Sequence, residues 1–204
     1  MLNSFHTGFA VIVSAPSGAG KSTICHLLQQ RSPEIFVISR SCTTRPKRSS
    51  DADDAYYFTD EKSFRQRIEQ QEFMEWALVH QNYYGTLKSE VDEPCRRNQI
   101  VLLDIDVQGA AQIMKGNRTF PSIFVLPPSW SELERRLRNR GSDADDQIAL
   151  RLNQARQECQ MMDLYGYVVV NSDVESTYQI FLQIIQSETY RHHHIQSSFF
   201  TQFQ

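Results

Sequence analysis

Short apolar runs alternate with amphipathic stretches along most of this chain. Five runs have the length and composition of buried strands: 9–14, 35–39, 99–105, 122–126 and 167–171. Apolar residues recur at helical spacing in three longer stretches: 22–31, 130–139 and 174–190. This alternation predicts an α/β fold in which helices flank a parallel five-stranded core sheet.

Residues 40–98 interrupt the alternation between the second and third predicted core strands. The segment contains a helical pattern near 60–71 and an apolar, aromatic-rich run at 73–79. It therefore predicts a compact β-rich insertion that can carry a second ligand. Pro94 falls inside a further helical pattern at 88–98. Because proline lacks a backbone N–H, we expect that helix to start late or to kink there.

The strongest motif lies between the first predicted strand and the first predicted helix. It reads Ala15, Pro16, Ser17, Gly18, Ala19, Gly20, Lys21 and Ser22, followed by Thr23. A strand, a small-residue loop and a helix in this order are typical of a phosphate-binding loop, or P-loop. Backbone N–H groups cradle a polyphosphate, Lys21 supplies positive charge, and the Ser22 hydroxyl can ligate the Mg²⁺ of a nucleoside triphosphate. The alternative is a small-residue turn with a solvated lysine.

One position departs from the general P-loop pattern, since Ala15 replaces the first glycine. Alanine is tolerable there if the residue keeps a negative φ, because only a left-handed conformation demands glycine.

Two aspartates, Asp104 and Asp106, close the third predicted strand. Their spacing places both carboxylates on one face of that strand. One can hold the hydration shell of Mg²⁺ while the other faces a second substrate, and the spacing leaves open which does which. The alternative for either residue is to cap a helix that starts near Val107.

Two arginines, Arg45 and Arg48, lie close together in a loop of the insertion. Their planar guanidinium groups suit a phosphate monoester, because each can form paired hydrogen bonds to phosphate oxygens. Three hydroxyl groups are available beside them, those of Ser41, Tyr56 and Tyr84.

A second set of arginines lies further along the chain. Arg136 and Arg140 are four residues apart and so project from one helix face, and Arg151 is on the following helix. This set predicts a segment that folds over a triphosphate and stabilises charge on a transferred group. The alternative is a solvated face in an arginine-rich stretch.

Composition narrows the classes of partner. A chain of 204 residues with net charge −3 has room for one well-buried core, and its charge argues against non-specific nucleic-acid binding. No apolar run has the length of a membrane span, and the first residues lack signal-peptide features, so we expect a cytoplasmic protein. Four scattered cysteines indicate reduced thiols and no zinc site. Monomer and homo-oligomer both stay open.

Two polar runs receive plain interpretations. The acidic run at 50–54 is interpreted as a solvated hairpin loop, and the histidines at 192–194 as part of a disordered tail.

Six motifs together resemble the guanylate kinases of the bacterial type, over roughly residues 8 to 190. In chain order they are Ser14 to Ser22, Ser41 to Arg45 with Arg48, Phe73 to Trp76, Asn82 to Thr86, Leu103 to Gly109, and Val170-Asn171. One loop departs from the family's pattern, since a Pro-Arg-x-Gly-Glu run is replaced by Lys47-Arg48-Ser49-Ser50-Asp51.

The resemblance implies the P-loop nucleoside monophosphate kinase fold and ATP-dependent phosphorylation of GMP to GDP, with dGMP phosphorylated in the same way and Mg²⁺ bound to ATP. It implies three parts: a P-loop core of residues 1–39, 99–135 and 152–204, a GMP-binding lobe at 40–98, and a helical lid at 136–151.

The resemblance also implies a role for each matching residue. The GMP phosphate would be held by Ser41, Arg45, Arg48, Tyr56 and Tyr84. Glu75 and Thr86 would hold the guanine, with Asp106 near the same nucleotide. The phosphates in transfer would be surrounded by Lys21, Arg136, Arg140 and Arg151. Asn171 would lie near the adenine, and Ser22 and Asp104 would serve the metal.

Two rival functions stay open. One is a sibling P-loop kinase that acts on another nucleotide or a sugar phosphate, which would not need Glu75 and Thr86. The other is a non-catalytic binding module of the same fold, against which Lys21, Ser22, Asp104 and the two arginine sets argue.

Overall fold

A computed structural model describes residues 6–48, 51–52, 55–79, 81–116, 119–139 and 145–201. Its main sheet has five strands: β1 (Phe9–Ser14), β2 (Phe36–Ile38), β7 (Ile100–Asp104), β8 (Ser122–Leu126) and β9 (Tyr167–Val170). They are ordered β2-β7-β1-β8-β9, and every neighbouring pair is parallel. The predicted parallel five-stranded sheet is therefore confirmed, with strand ends that differ from the predicted ones by at most one residue.

Eight helices are described. They are α1 (Lys21–Arg31), α2 (Glu61–Glu69), α3 (Ser89–Arg96), α4 (Val107–Lys115), α5 (Trp130–Asn139), α6 (Asp145–Cys159), α7 (Val174–Thr189) and the short α8 (Ser197–Phe200).

The core is divided by the main sheet into two apolar layers. Every residue of β1 is buried, and successive side chains point to opposite faces of a strand. Val11 and Val13 pack with α1 and α7, whereas Ala10 and Ile12 pack with α3 and α4. Helices on both faces explain why the core strands read as continuous apolar runs.

The segment between β2 and β7 forms a second sheet. Its strands are β3 (Ser41–Thr43), β4 (Tyr57–Phe58), β5 (Phe73–Val79) and β6 (Asn82–Leu87), in the order β4-β3-β6-β5. Phe64 of α2 stacks on Phe73 and Tyr83, with ring centroids 4.3 and 5.2 Å apart, so the insertion has an aromatic core of its own.

Pro94 does not delay the helix in which it lies. Helix α3 starts at Ser89 and passes through Pro94 before ending at Arg96. The expectation of a late start is wrong: Pro94 removes only one backbone hydrogen bond, and its ring is buried, so packing offsets that loss.

The histidine run at 192–194 is not a disordered tail. It forms a 3₁₀ helix, and the His194 ring is 5 % exposed and stacks on Phe9 at 4.0 Å. The Thr7 N–H donates to the His194 carbonyl at 2.8 Å. Apolar contact and pairing with the first described residues therefore order this end of the chain. None of the described helices is both long and apolar enough to cross a bilayer.

Candidate active site

The P-loop connects β1 to α1, as its motif predicts. Gly18 and Gly20 have φ values of 95° and 96°, and residues that have a Cβ rarely adopt such positive values. Ala15 does not have a positive φ, which explains why alanine is accepted there. The buried Asn171 holds the loop from behind, since its Nδ2 donates to the Ala19 carbonyl at 2.7 Å.

Lys21 lies at the start of α1 and reaches across to the end of β7. Its ammonium group forms an ion pair with Asp104 and donates to the Ile105 carbonyl at 3.0 Å. These contacts hold the positive charge at the carboxyl edge of the main sheet, where ligands of open parallel sheets bind.

Two neighbouring cavities open at this edge. The P-loop cavity, of about 280 Å³, is lined by Ala15, Pro16, Ser17, Gly18, Gly20, Lys21, Ser22, Thr23, Asp106 and Glu158. The lobe cavity, of about 210 Å³, is lined by Ser41, Tyr56, Glu75, Ala77, Val79, Tyr84, Gly85, Asp104, Ile105 and Asp106. Because Asp106 lines both, a ligand in one cavity lies next to a ligand in the other.

The two aspartates do not share a strand face. Strand β7 ends at Asp104, and Asp106 is the N-cap of α4, where its Oδ1 accepts the Gly109 N–H at 2.8 Å. The interpretation of both carboxylates as strand residues is wrong, because the chain turns from strand to helix between them. The capping alternative holds for Asp106.

Glu75 presents a buried carboxylate to the lobe cavity. It is only 7 % exposed, and its Oε1 accepts the Thr86 hydroxyl at 2.6 Å. Thr86 is fully buried behind it. Burial raises the pKa of Glu75 to about 7; the nearby Asp106 charge adds to the rise, and the Thr86 hydrogen bond opposes it.

The glycine at 109 explains how that carboxylate approaches α4. A Cβ at this position would lie 2.6 Å from the Glu75 Oε2, closer than any real contact. A glycine inside a helical pattern is a signal of close packing, and here it marks the helix face against the carboxylate.

Arg45 lies beside Tyr56 and Tyr84, two residues that line the lobe cavity. Arg45 is buried and donates from two guanidinium nitrogens to the Asp51 carboxylate, at 2.9 and 3.1 Å. Its side chain also bonds Tyr84, and its guanidinium lies 5.3 Å from the Tyr56 ring centroid. Arg48 is exposed, and its backbone N–H donates to the Asp51 carboxylate at 2.7 Å.

The acidic run is therefore not simply a solvated loop. Asp51 is clamped by Arg45 and by the Arg48 N–H, and these hydrogen bonds lower its pKa. The remaining residues of the run lie outside the described residues, except Ala52.

The predicted lid arginines are described in part. Arg136 is half-buried and donates to the carbonyl groups of Ala19 and Asn171, at 3.2 and 3.0 Å. Arg151 is half-buried on α6. Arg140 lies outside the described residues. The main-chain contacts of Arg136 place the end of α5 directly against the P-loop.

Asn171 follows β9 and already uses its side chain within the protein. Its Nδ2 bonds the P-loop, and its Oδ1 accepts the Thr177 hydroxyl at 3.0 Å. It also lines a further cavity, of about 370 Å³, together with Gly18, Gly20 and Arg136.

Comparison of the sequence with known proteins shows to which family the chain belongs. The family model described as guanylate kinase matches residues 8–188. The chain belongs to the guanylate kinase family. The guanylate kinase of Carboxydothermus hydrogenoformans is 46 % identical over 175 residues, 84 % of each chain. That of Thermotoga maritima is 40 % identical over 182 residues, 89 % of this chain and 87 % of the relative.

A solved structure supports the same assignment. The crystal structure of guanylate kinase from Anaplasma phagocytophilum has a TM-score of 0.72 at 30 % identity, covering 93 % of this chain and 90 % of that chain. The fold is thus the P-loop nucleoside monophosphate kinase fold of guanylate kinases.

One acidic residue of this guanylate kinase site escaped the motif search. Glu158, in the last turn of α6, accepts the Ser17 N–H of the P-loop, and its Oε2 is buried without a hydrogen-bond partner among the described residues. Burial raises its pKa, the Ser17 bond lowers it, and the Asp106 charge raises it. Its one available signal was its position seven residues after Arg151, on the same helix face.

Proposed function

We propose that this chain transfers the terminal phosphoryl group of ATP to GMP, forming ADP and GDP. The observation that carries the proposal is the pair of neighbouring cavities: one is lined by a P-loop, and the other by a buried carboxylate that suits guanine. Phosphoryl transfer requires mainly positioning and charge neutralisation, so two adjoining anion sites are sufficient and no side chain has to act as a nucleophile.

Glu75 selects the base in this proposal. Guanine presents two adjacent donors, its N1–H and its 2-amino group, and one ionised carboxylate can accept both. Thr86 keeps the carboxylate in one orientation, because its hydroxyl donates to Oε1 from a fully buried position. A hydroxyl has a single proton, so in this arrangement Thr86 acts on guanine through Glu75.

The acceptor phosphate binds on the arginine side of the lobe. Ser41, Tyr56 and Tyr84 line the cavity there. Arg45 lies against Tyr56 and bonds Tyr84, and Arg48 supplies a second, exposed guanidinium group. A guanidinium group has five N–H donors, so the Asp51 pair leaves Arg45 with donors for phosphate oxygens.

The triphosphate binds the P-loop from residue 15 to residue 23. The backbone N–H groups of the loop and the Lys21 ammonium group neutralise the negative charge of the phosphates. Arg136, Arg140 and Arg151 add further positive charge around them. We place the adenine beside Asn171, in the further cavity that this residue lines with Arg136.

The oxygen groups present also suit Mg²⁺. The Ser22 hydroxyl and the Asp104 carboxylate are hard oxygen donors at the P-loop and would hold the ion. No group of three or more His, Cys, Asp or Glu residues forms a metal site in the described part of the chain. Magnesium in such sites keeps several waters and binds few protein groups, so two ligands are adequate. The ion would neutralise developing charge on the phosphates.

The predicted division into core, lobe and lid belongs to this proposal, as does a cytoplasmic location. The second sheet, residues 41–87, lies within the predicted lobe, and the end of α5 and the start of α6 fall within the predicted lid. All four cysteines are free thiols, which fits a reducing compartment.

A coupled assay tests the proposal by offering ATP with GMP, dGMP, AMP, UMP or a ribose phosphate. We expect turnover with GMP and dGMP and at most trace turnover with the others. Turnover confined to another acceptor would favour the sibling kinase. Tight GMP binding with no turnover would favour a binding module.

A further inference from the structure

Strand β5, which carries Glu75, is an edge strand. It pairs with β6 on one side only, since the lobe sheet ends there. Edge strands present backbone N–H and C=O groups that no other strand pairs. The ladder is also irregular between Phe73 and Glu75, where the register shifts. A bulge of this kind re-aims a side chain, and it weakens the ladder as a restraint on the strand.

One side chain from the core takes the place of a neighbouring strand. The Gln112 Oε1 accepts the Trp76 N–H at 3.2 Å, and the Gln112 Nε2 donates to the Trp76 carbonyl at 2.8 Å. A primary amide has both a donor and an acceptor, so it can satisfy both backbone groups of one strand residue. Trp76 is the residue directly after Glu75.

Helix α4 contacts β5 at a second point. Asp106, Gly109 and Gln112 follow at intervals of three residues, which places neighbouring members on one side of a helix. Gly109 lies against the Glu75 carboxylate, and Gln112 holds the backbone one residue further along. The helix therefore contacts both the carboxylate and the strand that carries it.

We infer that Gln112 is a positioning residue for base selection: its amide fixes the edge strand at Trp76 and so keeps the Glu75 carboxylate aimed into the lobe cavity. This inference rests on the proposed function, in which Glu75 reads guanine. Gln112 lies on α4, which begins three residues after Asp104 at the P-loop edge. The base pocket is thereby tied to the core through one helix.

Gln112→Met tests the inference, because methionine keeps the length and helix propensity of glutamine but loses both hydrogen bonds. Gln108→Met is the matched control, since Gln108 is an exposed residue in the first turn of the same helix. With ATP saturating, we expect Gln112→Met to raise the KM for GMP by at least about fivefold and to shrink the GMP:AMP ratio of kcat/KM. The KM for ATP should stay within about twofold.

A merely structural role for Gln112 would give a different result. It would lower the melting temperature or change both KM values together, with the GMP:AMP ratio unchanged, and either outcome would overturn the inference. The control variant Gln108→Met should match the wild type in the KM for GMP, the KM for ATP, the GMP:AMP ratio and the melting temperature.

Glu75→Gln, measured beside these variants, separates this inference from the proposed function. If Glu75→Gln reduces the GMP:AMP ratio and Gln112→Met does not, the positioning role is wrong and base reading by Glu75 stands. If Glu75→Gln leaves the ratio unchanged, base reading by Glu75 fails first.

Discussion

Replacing Glu75 by glutamine tests, in one variant, both base recognition and the effect of burying its charge. The carboxylate is 7 % exposed and accepts the Thr86 hydroxyl. Glutamine has the same shape and can still accept that bond. The substitution therefore removes the charge and the second matched acceptor with little change in packing.

The stability effect has a definite sign. The pKa of Glu75 rises from 4.5 to about 7 on folding, so the folded state favours the protonated form. Its contribution to the free energy of unfolding is complete below pH 4.5 and is lost as the pH rises through 7. The full loss is about 3 kcal/mol, at 1.36 kcal/mol per pKa unit, of which about 2–3 kcal/mol falls between pH 5 and pH 8.

Thermal unfolding of the ligand-free protein measures this effect. Glutamine does not titrate, so the melting temperature of Glu75→Gln should rise relative to wild type as the pH increases. For a chain of this size, the difference between the two proteins should widen by roughly 5–10 °C from pH 5 to pH 8. A difference that stays constant over this range would refute a buried Glu75 that titrates near neutrality.

Selectivity for GMP over AMP should rise with pH, whereas the contribution of Glu75 to stability falls. Ionised Glu75 accepts both guanine donors, whereas protonated Glu75 accepts one and can donate to the bare N1 of adenine. The GMP:AMP ratio of kcat/KM should therefore fall about tenfold from pH 8 to pH 6 in the wild type, following the ionised fraction. Both nucleotides carry the same phosphate, so its ionisation cancels in the ratio. Glu75→Gln should show a small, flat ratio, with GMP kcat/KM reduced tenfold or more; a wild-type ratio independent of pH would contradict base reading by an ionising Glu75.

Three other substitutions test the phosphate sites. Lys21→Ala should lower kcat at least a hundredfold, because a preorganised charge at the transferred group is typically worth about 3 kcal/mol. The far-UV circular dichroism spectrum should stay unchanged, and near-normal turnover would exclude the P-loop assignment. Asp51→Ala should raise the KM for GMP about three- to tenfold and leave the KM for ATP unchanged, because Arg45 loses the partner that orients it; an equal rise in both constants would point to general loosening. Glu158→Gln should bind ATP several-fold more tightly in an equilibrium titration, because its carboxylate in the P-loop cavity repels the triphosphate; weaker binding would mean that the carboxylate supports the loop.

The main sheet and the P-loop could be predicted from sequence because their signals are local. Buried parallel strands read as apolar runs, and the loop between β1 and α1 is one continuous motif. The same local reasoning failed at Asp106, where a strand period was extended past the true end of β7. The end of a strand depends on where the chain turns. An aspartate at that point can be either the last residue of the strand or the N-cap of the next helix, and the sequence does not distinguish the two.

The contacts that shape the site could not be predicted, because they join residues whose separation carries no period. The approach of Glu75 to Gly109 and the Glu158 contact with Ser17 each link different elements of the chain. Asp51 lies six residues from Arg45, yet a loop has no fixed geometry from which their pairing follows. Side-chain partners are selected by tertiary packing, and the sequence supplies only the candidates.

Three cations near the two cavities are already engaged within the protein before any substrate binds. Lys21 is paired with Asp104, Arg45 with Asp51, and Arg136 with Glu132 and two main-chain carbonyl groups. Each positive charge is therefore held in place by the protein and does not have to be ordered when phosphate arrives. In the proposed reaction, substrate oxygens add to these partners or replace them, so binding costs less side-chain entropy.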